Sequence, residues 1–161
     1  TSDRLRETLF NILQTRINSN TIFLDLCAGT GAVGIEALSR GVKFAAFVDI
    51  SRKACGLIEE NLDLLEIPED KTEVIYSSVE KFLSREQEKS FDIIFFDPPY
   101  SLDYSNALAE ISSVESEILS KNGLLVVAHH SKNIIPDKIG EIRRWRIVKQ
   151  GETRLSFYER N

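Results

Sequence analysis

Ile22-Phe23-Leu24-Asp25-Leu26-Cys27-Ala28-Gly29-Thr30-Gly31-Ala32-Val33-Gly34 carries a β-rich apolar run into a glycine-rich turn and on toward a helix. The run is too continuously apolar for a half-exposed strand and fits the interior of a parallel sheet. Gly29, Gly31 and Gly34 satisfy G-x-G-x-x-G, the spacing of a tight turn whose backbone lies close against a ligand. A strand, glycine turn and helix in that order predict an α/β fold with its ligand at the carboxyl end of the strand.

Outward from this unit the same alternation continues. Strand-like runs cover residues 22–26, 44–49, 72–76, 91–97 and 124–129, with helical periods between them. Ala54, Leu57, Ile58, Leu62 and Leu65 share one helix face, and Tyr104, Leu108, Ile111, Ile118 and Leu119 share another. Ahead of the first strand, Ser2 or Asp3 caps a helix that buries Leu5, Leu9, Ile12 and Leu13. Residues 145–149 and 154–159 alternate like antiparallel strands, with Gly151 in the turn between them. The outline is five βα units and a terminal hairpin, with helices on both faces of the sheet and one domain over residues 1–161.

At 161 residues, 42% hydrophobic and 28% charged, the chain has the make-up of a globular domain and not of a disordered one. No apolar run approaches the ~20 residues of a membrane span, and no signal-peptide pattern opens the chain. Cys27 and Cys55 form no CxxC pair and have no histidine ligand set nearby, so free thiols, no metal and a cytoplasmic location are expected. The chain starts at Thr1, inside a helix-start pattern, so native sequence is expected ahead of it. The net charge is −5, yet residues 132–161 hold 8 basic and 4 acidic side chains against 12 and 21 in the rest. Such a basic tail can attract a phosphate backbone within an acidic total.

Two carboxylates sharpen the reading of the glycine turn. Asp49 ends the second strand 18 residues past Gly31, where a carboxylate meets the hydroxyls of a bound ribose. Asp25, beside the glycines, would repel a pyrophosphate but suits a ligand bearing an ammonium and a sulfonium. S-adenosylmethionine has both groups and a ribose, so the charge argument favours it over NAD and disfavours a dehydrogenase. The plainer reading makes Asp25 and Asp49 helix-capping groups at strand ends.

Downstream, a buried strand leads directly into Asp97-Pro98-Pro99-Tyr100. Consecutive prolines stiffen the backbone and donate no hydrogen bonds, leaving their carbonyls as pure acceptors. The amino group of a nucleic-acid base is a poor nucleophile because its lone pair spreads into the ring. Asp97 Oδ and the Pro98 carbonyl, gripping its N–H bonds, would localise that pair and stabilise the charge developing on nitrogen. Tyr100 offers a face on which an extruded base can stack. An ordinary Asp-Pro turn ending a strand is the competing explanation.

These residues resemble the class I S-adenosylmethionine-dependent methyltransferases of the amino-methylating type. Within that class the chain is similar to the RsmD family of 16S rRNA guanine-N2 methyltransferases, from Thr1 to about Glu159. Residues 1–11 and 155–159 are the family-specific pieces, whereas 26–41 and 97–100 are shared more widely. The resemblance implies a Rossmann-like, mostly parallel sheet of seven strands with the last antiparallel. It implies S-adenosylmethionine at the Gly29–Gly31 turn, with Cys27, Ala28 and Thr30 in the same loop. Asp49 would lie on the ribose with Ile50 following it, and Ser78 and Val79 beside the adenine. Many relatives carry an acidic or amide residue in place of Ser78, and the family usually begins with a basic β-strand segment that this chain lacks. Arg4, Arg6 and Glu7 are implied to lie near the substrate or over the cofactor; as plain helix-surface residues, Arg4 and Glu7 would pair at i,i+3.

Ribosomal RNA or a small-subunit assembly intermediate is the implied partner, and a monomer the default state. The competing readings are a DNA adenine-N6 methyltransferase, a protein glutamine methyltransferase and a catalytically silent cofactor-binding module. The first would need an added sequence-reading region, the second favours Asn at position 97, and the intact 97–100 loop opposes the third. One of His129 and His130 is expected to pack inside and the other to face the crevice, with Trp145 in the core.

Overall fold

The structure, a computed structural model, describes residues 1–99, 102 and 104–160. Five parallel strands form its centre: β1 (Ile22–Leu26), β2 (Phe44–Asp49), β3 (Thr72–Tyr76), β4 (Phe91–Phe96) and β5 (Leu119–His130). Beyond β5 run β6 (Lys138–Ile139), β7 (Ile142–Gln150) and β8 (Thr153–Arg160), and the sheet order is β3-β2-β1-β4-β5-β8-β7-β6. β8 runs antiparallel to β5, β7 to β8 and β6 to β7. The sheet therefore has eight strands in place of the expected seven. The extra one, β6, is two residues long and reverses at Gly140 (φ 50°), too short to leave a pattern in the sequence.

Both faces of the sheet are covered, which is why its strands read as unbroken apolar runs. Helices α1 (Asp3–Leu13), α2 (Ala32–Ser39) and α3 (Arg52–Leu64) pack on Phe23, Phe47, Phe95 and Phe157. Helices α4 (Val79–Ser84) and α5 (Tyr104–Ser112) cover Leu24, Val48, Phe96 and Tyr158 on the other side. Among the described residues no helix is long and apolar enough to cross a membrane.

Ser2 caps α1 as expected, its Oγ accepting from the Leu5 N–H at 3.1 Å. Phe10, not Ile12, is the fourth buried side chain of that helix. On α3 the buried face is Cys55, Ile58 and Leu62, and the expected Leu57 and Leu65 face solvent. The expected long helix through Leu119 ends at Ser112. Ser112 Oγ bonds back to the Ala109 carbonyl and Ser113 Oγ takes the Ser116 N–H, local bonds that compete with helix continuation. Ile118 and Leu119 belong instead to the approach and start of β5.

Trp145 is a further correction. It is the extra residue of a bulge in β7, 41% exposed, with its ring tilted on Phe157 and the Arg16 guanidinium over the ring.

Gly34, in the first turn of α2, packs closely against the sheet. A Cβ there would sit 2.3 Å from Phe47 Cε2, at a ring with no exposure. Gly34→Ala should lower the free energy of urea unfolding by about 1–3 kcal/mol through overpacking, despite alanine's better helix propensity. An unchanged urea midpoint would show that Phe47 can yield.

Candidate active site

The strand order turns back between β1 and β4, and ligands of open α/β sheets bind beyond the carboxyl ends of strands at such a point. A cavity of about 920 Å³ opens there. One lip is made by Cys27, Asp49, Ile50, Ser78 and Val79, from the ends of β1, β2 and β3. The other is made by Asp97, Pro98 and Pro99 after β4 and by His129 and His130 ending β5.

Hydrogen bonds between neighbouring strand ends set the glycine turn. The Cys27 and Ala28 N–H groups both donate to the Val48 carbonyl at 2.9 Å. Cys27 (φ 67°), Gly29 (φ 59°) and Gly31 (φ 81°) all take left-handed backbone, and Gly31 then starts α2. Asp49 braces the turn from β2, Oδ2 accepting from the Gly29 N–H and Oδ1 from the Ser51 N–H, each at 2.8 Å. Each oxygen keeps a lone pair for a ligand hydroxyl. Ile50 beside it is 69% exposed, an apolar side chain held out at the cavity lip.

Asp25 does not line the cavity. It is 1% exposed, and its Oδ2 accepts from the Gly34 N–H in α2 at 2.9 Å. The direct contact with a cationic ligand expected of it gives way to an anchoring role behind the wall. Ala28, Gly29, Thr30 and Gly31 likewise build that wall without lining the space. Ser78 lines it, but its Oγ caps α4 by accepting from the Lys81 N–H at 3.1 Å, which occupies one lone pair.

At the opposite lip Asp97 is half-buried, and its Oδ2 accepts from the Thr1 hydroxyl at 3.0 Å. Pro98 and Pro99 line the cavity, and the Pro99 carbonyl accepts from the Leu102 N–H. Tyr100, the expected stacking ring, lies outside the described residues.

The helix α1 reaches the site through residues other than those expected. Thr1, Ser2 and Leu5 line the cavity. Arg4 and Glu7 are exposed, and Arg6 pairs with Asp3 at 3.0 Å and Glu36 at 3.7 Å. Among the described residues Arg4 and Glu7 form no ion pair. Thr1 and Ser2 precede the first helical turn, Ser2 as its extended N-cap, so helical spacing gave no signal that they reach the site.

Both histidines reach the cavity, His129 buried and His130 half-buried. His129 Nδ1 lies 2.9 Å from the Asn133 carbonyl, so that nitrogen carries the proton; Nε2 accepts from the Ser156 hydroxyl at 2.8 Å. Burial, with the charges of Arg144 and Arg154, holds its pKa below the usual histidine range. It is a neutral, fully bonded ring and not a free base.

The family described as Conserved hypothetical protein 95 matches residues 1–159. The chain is 31% identical over 160 residues to "Ribosomal RNA small subunit methyltransferase D" of Haemophilus influenzae, covering 98% of this chain and 79% of that protein. A solved Escherichia coli structure superposes with a TM-score of 0.90 at 28% identity, covering 100% of this chain and 88% of that one. A hypothetical protein from Thermus gives a TM-score of 0.80 at 30% identity, with 99% and 86% covered. A more distant chain, solved "complexed with SAH", shares the fold with a TM-score of 0.74 at 16% identity, covering 96% of this chain and 49% of its own length.

Three carboxyl groups crowd the end of β1. Burial, the Asp97 and Asp49 carboxylates together push Asp25 up to about 8, against the pull of the Gly34 N–H. Burial and the same carboxylates push the Cys27 thiol up to about 12, leaving it unreactive. Asp97 is also raised by burial, with the Thr1 hydroxyl opposing. The folded protein thus keeps Asp25 protonated to about pH 8, whereas the unfolded chain releases that proton near 3.8, the ordinary value of an aspartate. Between those limits the folded state binds more protons, so rising pH removes stability and the loss levels off above about 8. Urea unfolding across this window should show that decline in the native protein and a flatter profile in Asp25→Asn. Parallel profiles would place the raised carboxyl elsewhere.

Proposed function

The chain belongs to the family described as Conserved hypothetical protein 95, the RsmD-type rRNA methyltransferases, and on that premise we propose that it methylates the exocyclic N2 of a guanine in small-subunit rRNA with S-adenosylmethionine as donor. The observation that carries this reading is the pairing of two lips on one cavity: Asp49 with its free lone pairs on one, Asp97 and Pro98 on the other.

The residues present fit the cofactor. Asp49 would take the ribose hydroxyls, Ile50 and Val79 offer apolar contact to the adenine, and the Cys27–Gly31 turn would carry the rest. When bound, S-adenosylmethionine supplies an electrophilic methyl group on a sulfonium. Asp49 and Asp97 place a carboxyl group on each lip of the cavity, an arrangement that favours such a cation and opposes a pyrophosphate, while Asp25 behind the wall stays neutral.

Asp97 Oδ and the Pro98 carbonyl are the acceptors for the two N–H bonds of the target amine. Holding both keeps the nitrogen lone pair out of the ring and stabilises positive charge as the new N–C bond forms. Thr1 occupies one Asp97 oxygen and so leaves the other for the amine. The nitrogen then gives up a proton, and Asp97, its basicity raised by burial, is the carboxylate placed to accept it. His129, neutral and bonded on both ring nitrogens, has no part in that transfer.

Asp97→Ala should reduce kcat by at least about a hundredfold while S-adenosylmethionine affinity changes little. Retained turnover would remove the acceptor pair from the mechanism. With labelled cofactor, methyl groups should appear on N2 of guanine in small-subunit rRNA, free or in particles, and not on duplex DNA. Label on adenine N6 of DNA, or saturable binding of NAD in place of S-adenosylmethionine, would overturn the assignment.

A further inference from the structure

The sheet register shows where the positive charge of the carboxyl-terminal residues is delivered. His129 in β5 is paired with Arg154 in β8, and Arg154 with Lys149 in β7. Directly paired residues project from the same face, so these three form one row across the sheet. The row begins at the cavity, which His129 lines, and Thr153 next to Arg154 lines it too.

Two cations directly opposite each other weaken an antiparallel pair, and folding offers no compensation here. Among the described residues neither Lys149 nor Arg154 has a carboxylate partner. Glu152 is engaged by His130 and Asp137 by Arg144. Arg154 uses Nη1 on the Gly151 and Thr153 carbonyls, which holds the guanidinium over the β7–β8 turn, and among the described residues Nε and Nη2 have no hydrogen-bond partner. Lys149 is exposed. A planar fork held in place and a mobile ammonium beside it match the oxygens of one phosphodiester.

We propose that Lys149 and Arg154 form a phosphate-binding site that holds the RNA backbone next to the nucleotide whose base enters the cavity. This rests on the rRNA-methyltransferase reading above. A base placed against Asp97 leaves its sugar and phosphates outside the cavity. The Thr153 side of the mouth is where a row of unneutralised cations meets that exit.

Affinity of the full chain for transcribed small-subunit rRNA, followed by filter binding between about 50 and 200 mM KCl, tests this directly. Lys149→Gln should weaken binding and make the log–log salt slope shallower by about 0.7–0.9, the loss of one phosphate contact. Lys149→Arg should keep the wild-type slope. KM for rRNA should rise in Lys149→Gln while kcat and S-adenosylmethionine affinity stay unchanged. Lys71→Gln, the same change of charge at the exposed approach to the opposite sheet edge, should leave the slope as it is. A Lys149→Gln slope equal to wild type, or an equal change in Lys71→Gln, with rRNA methylation intact, overturns the phosphate site alone. A wild-type protein that neither binds nor methylates rRNA overturns the site together with the reading beneath it.

Discussion

The buried Asp25 carboxyl, taking the Gly34 N–H at 2.9 Å, determines where α2 begins and so how the glycine turn must fold. A carboxyl group with 1% exposure in the middle of a sheet is tolerable only when neutral or well bonded. Here it is both hydrogen-bonded and pushed toward its neutral form. Its bond ties the first turn of α2 to the end of β1, and the Phe47 ring closes against Gly34 from β2. The segment between can then satisfy its backbone only by left-handed turns at Cys27, Gly29 and Gly31. Asp49 completes the arrangement from the neighbouring strand, so a single turn is held by two carboxyl groups from two strand ends.

Much of this was legible in the sequence, for a physical reason. β1 and β2 begin and end where their apolar runs do, because strands buried on both faces leave no alternation to misread. The helix-capping function of Asp25 was legible only as the plainer of two explanations, since a carboxylate beside glycines looks the same in sequence whether it faces a ligand or the next helix. Less legible was whatever depends on partners far along the chain. Trp145 reads as core until a bulge turns it outward, and β6 exists only because β7 is there to pair with it. Ile118 and Leu119 continue a helical period, yet the serines at 112, 113 and 116 have already unwound the helix. Thr1 and Ser2 carry no conspicuous chemistry and reach the site only because α1 lies across it.

Charge is divided between the two functions of the molecule. Carboxyl groups gather at the end of β1, where the proposed cationic donor would be held, and the basic surplus lies in β7 and β8, beyond the other lip. The net charge of −5 therefore says little about the ligand of either region. Burial raises Asp25 behind the wall, while Asp49 at the cofactor lip is hydrogen-bonded by two N–H groups and open to hydroxyls. On the substrate side burial acts in the opposite sense on His129, keeping it neutral between Ser156 and Asn133 and removing it from competition with Asp97 for a proton.

The proposed reaction requires one cavity to bring donor and acceptor together, and a crystal structure of the protein with S-adenosylmethionine tests that most directly. The ribose hydroxyls should lie within hydrogen-bonding distance of Asp49, with the methyl group directed across the space toward Asp97 and the Pro98 carbonyl. A cofactor seated away from Asp49, or one whose methyl group is turned from the Asp97 lip, would contradict it.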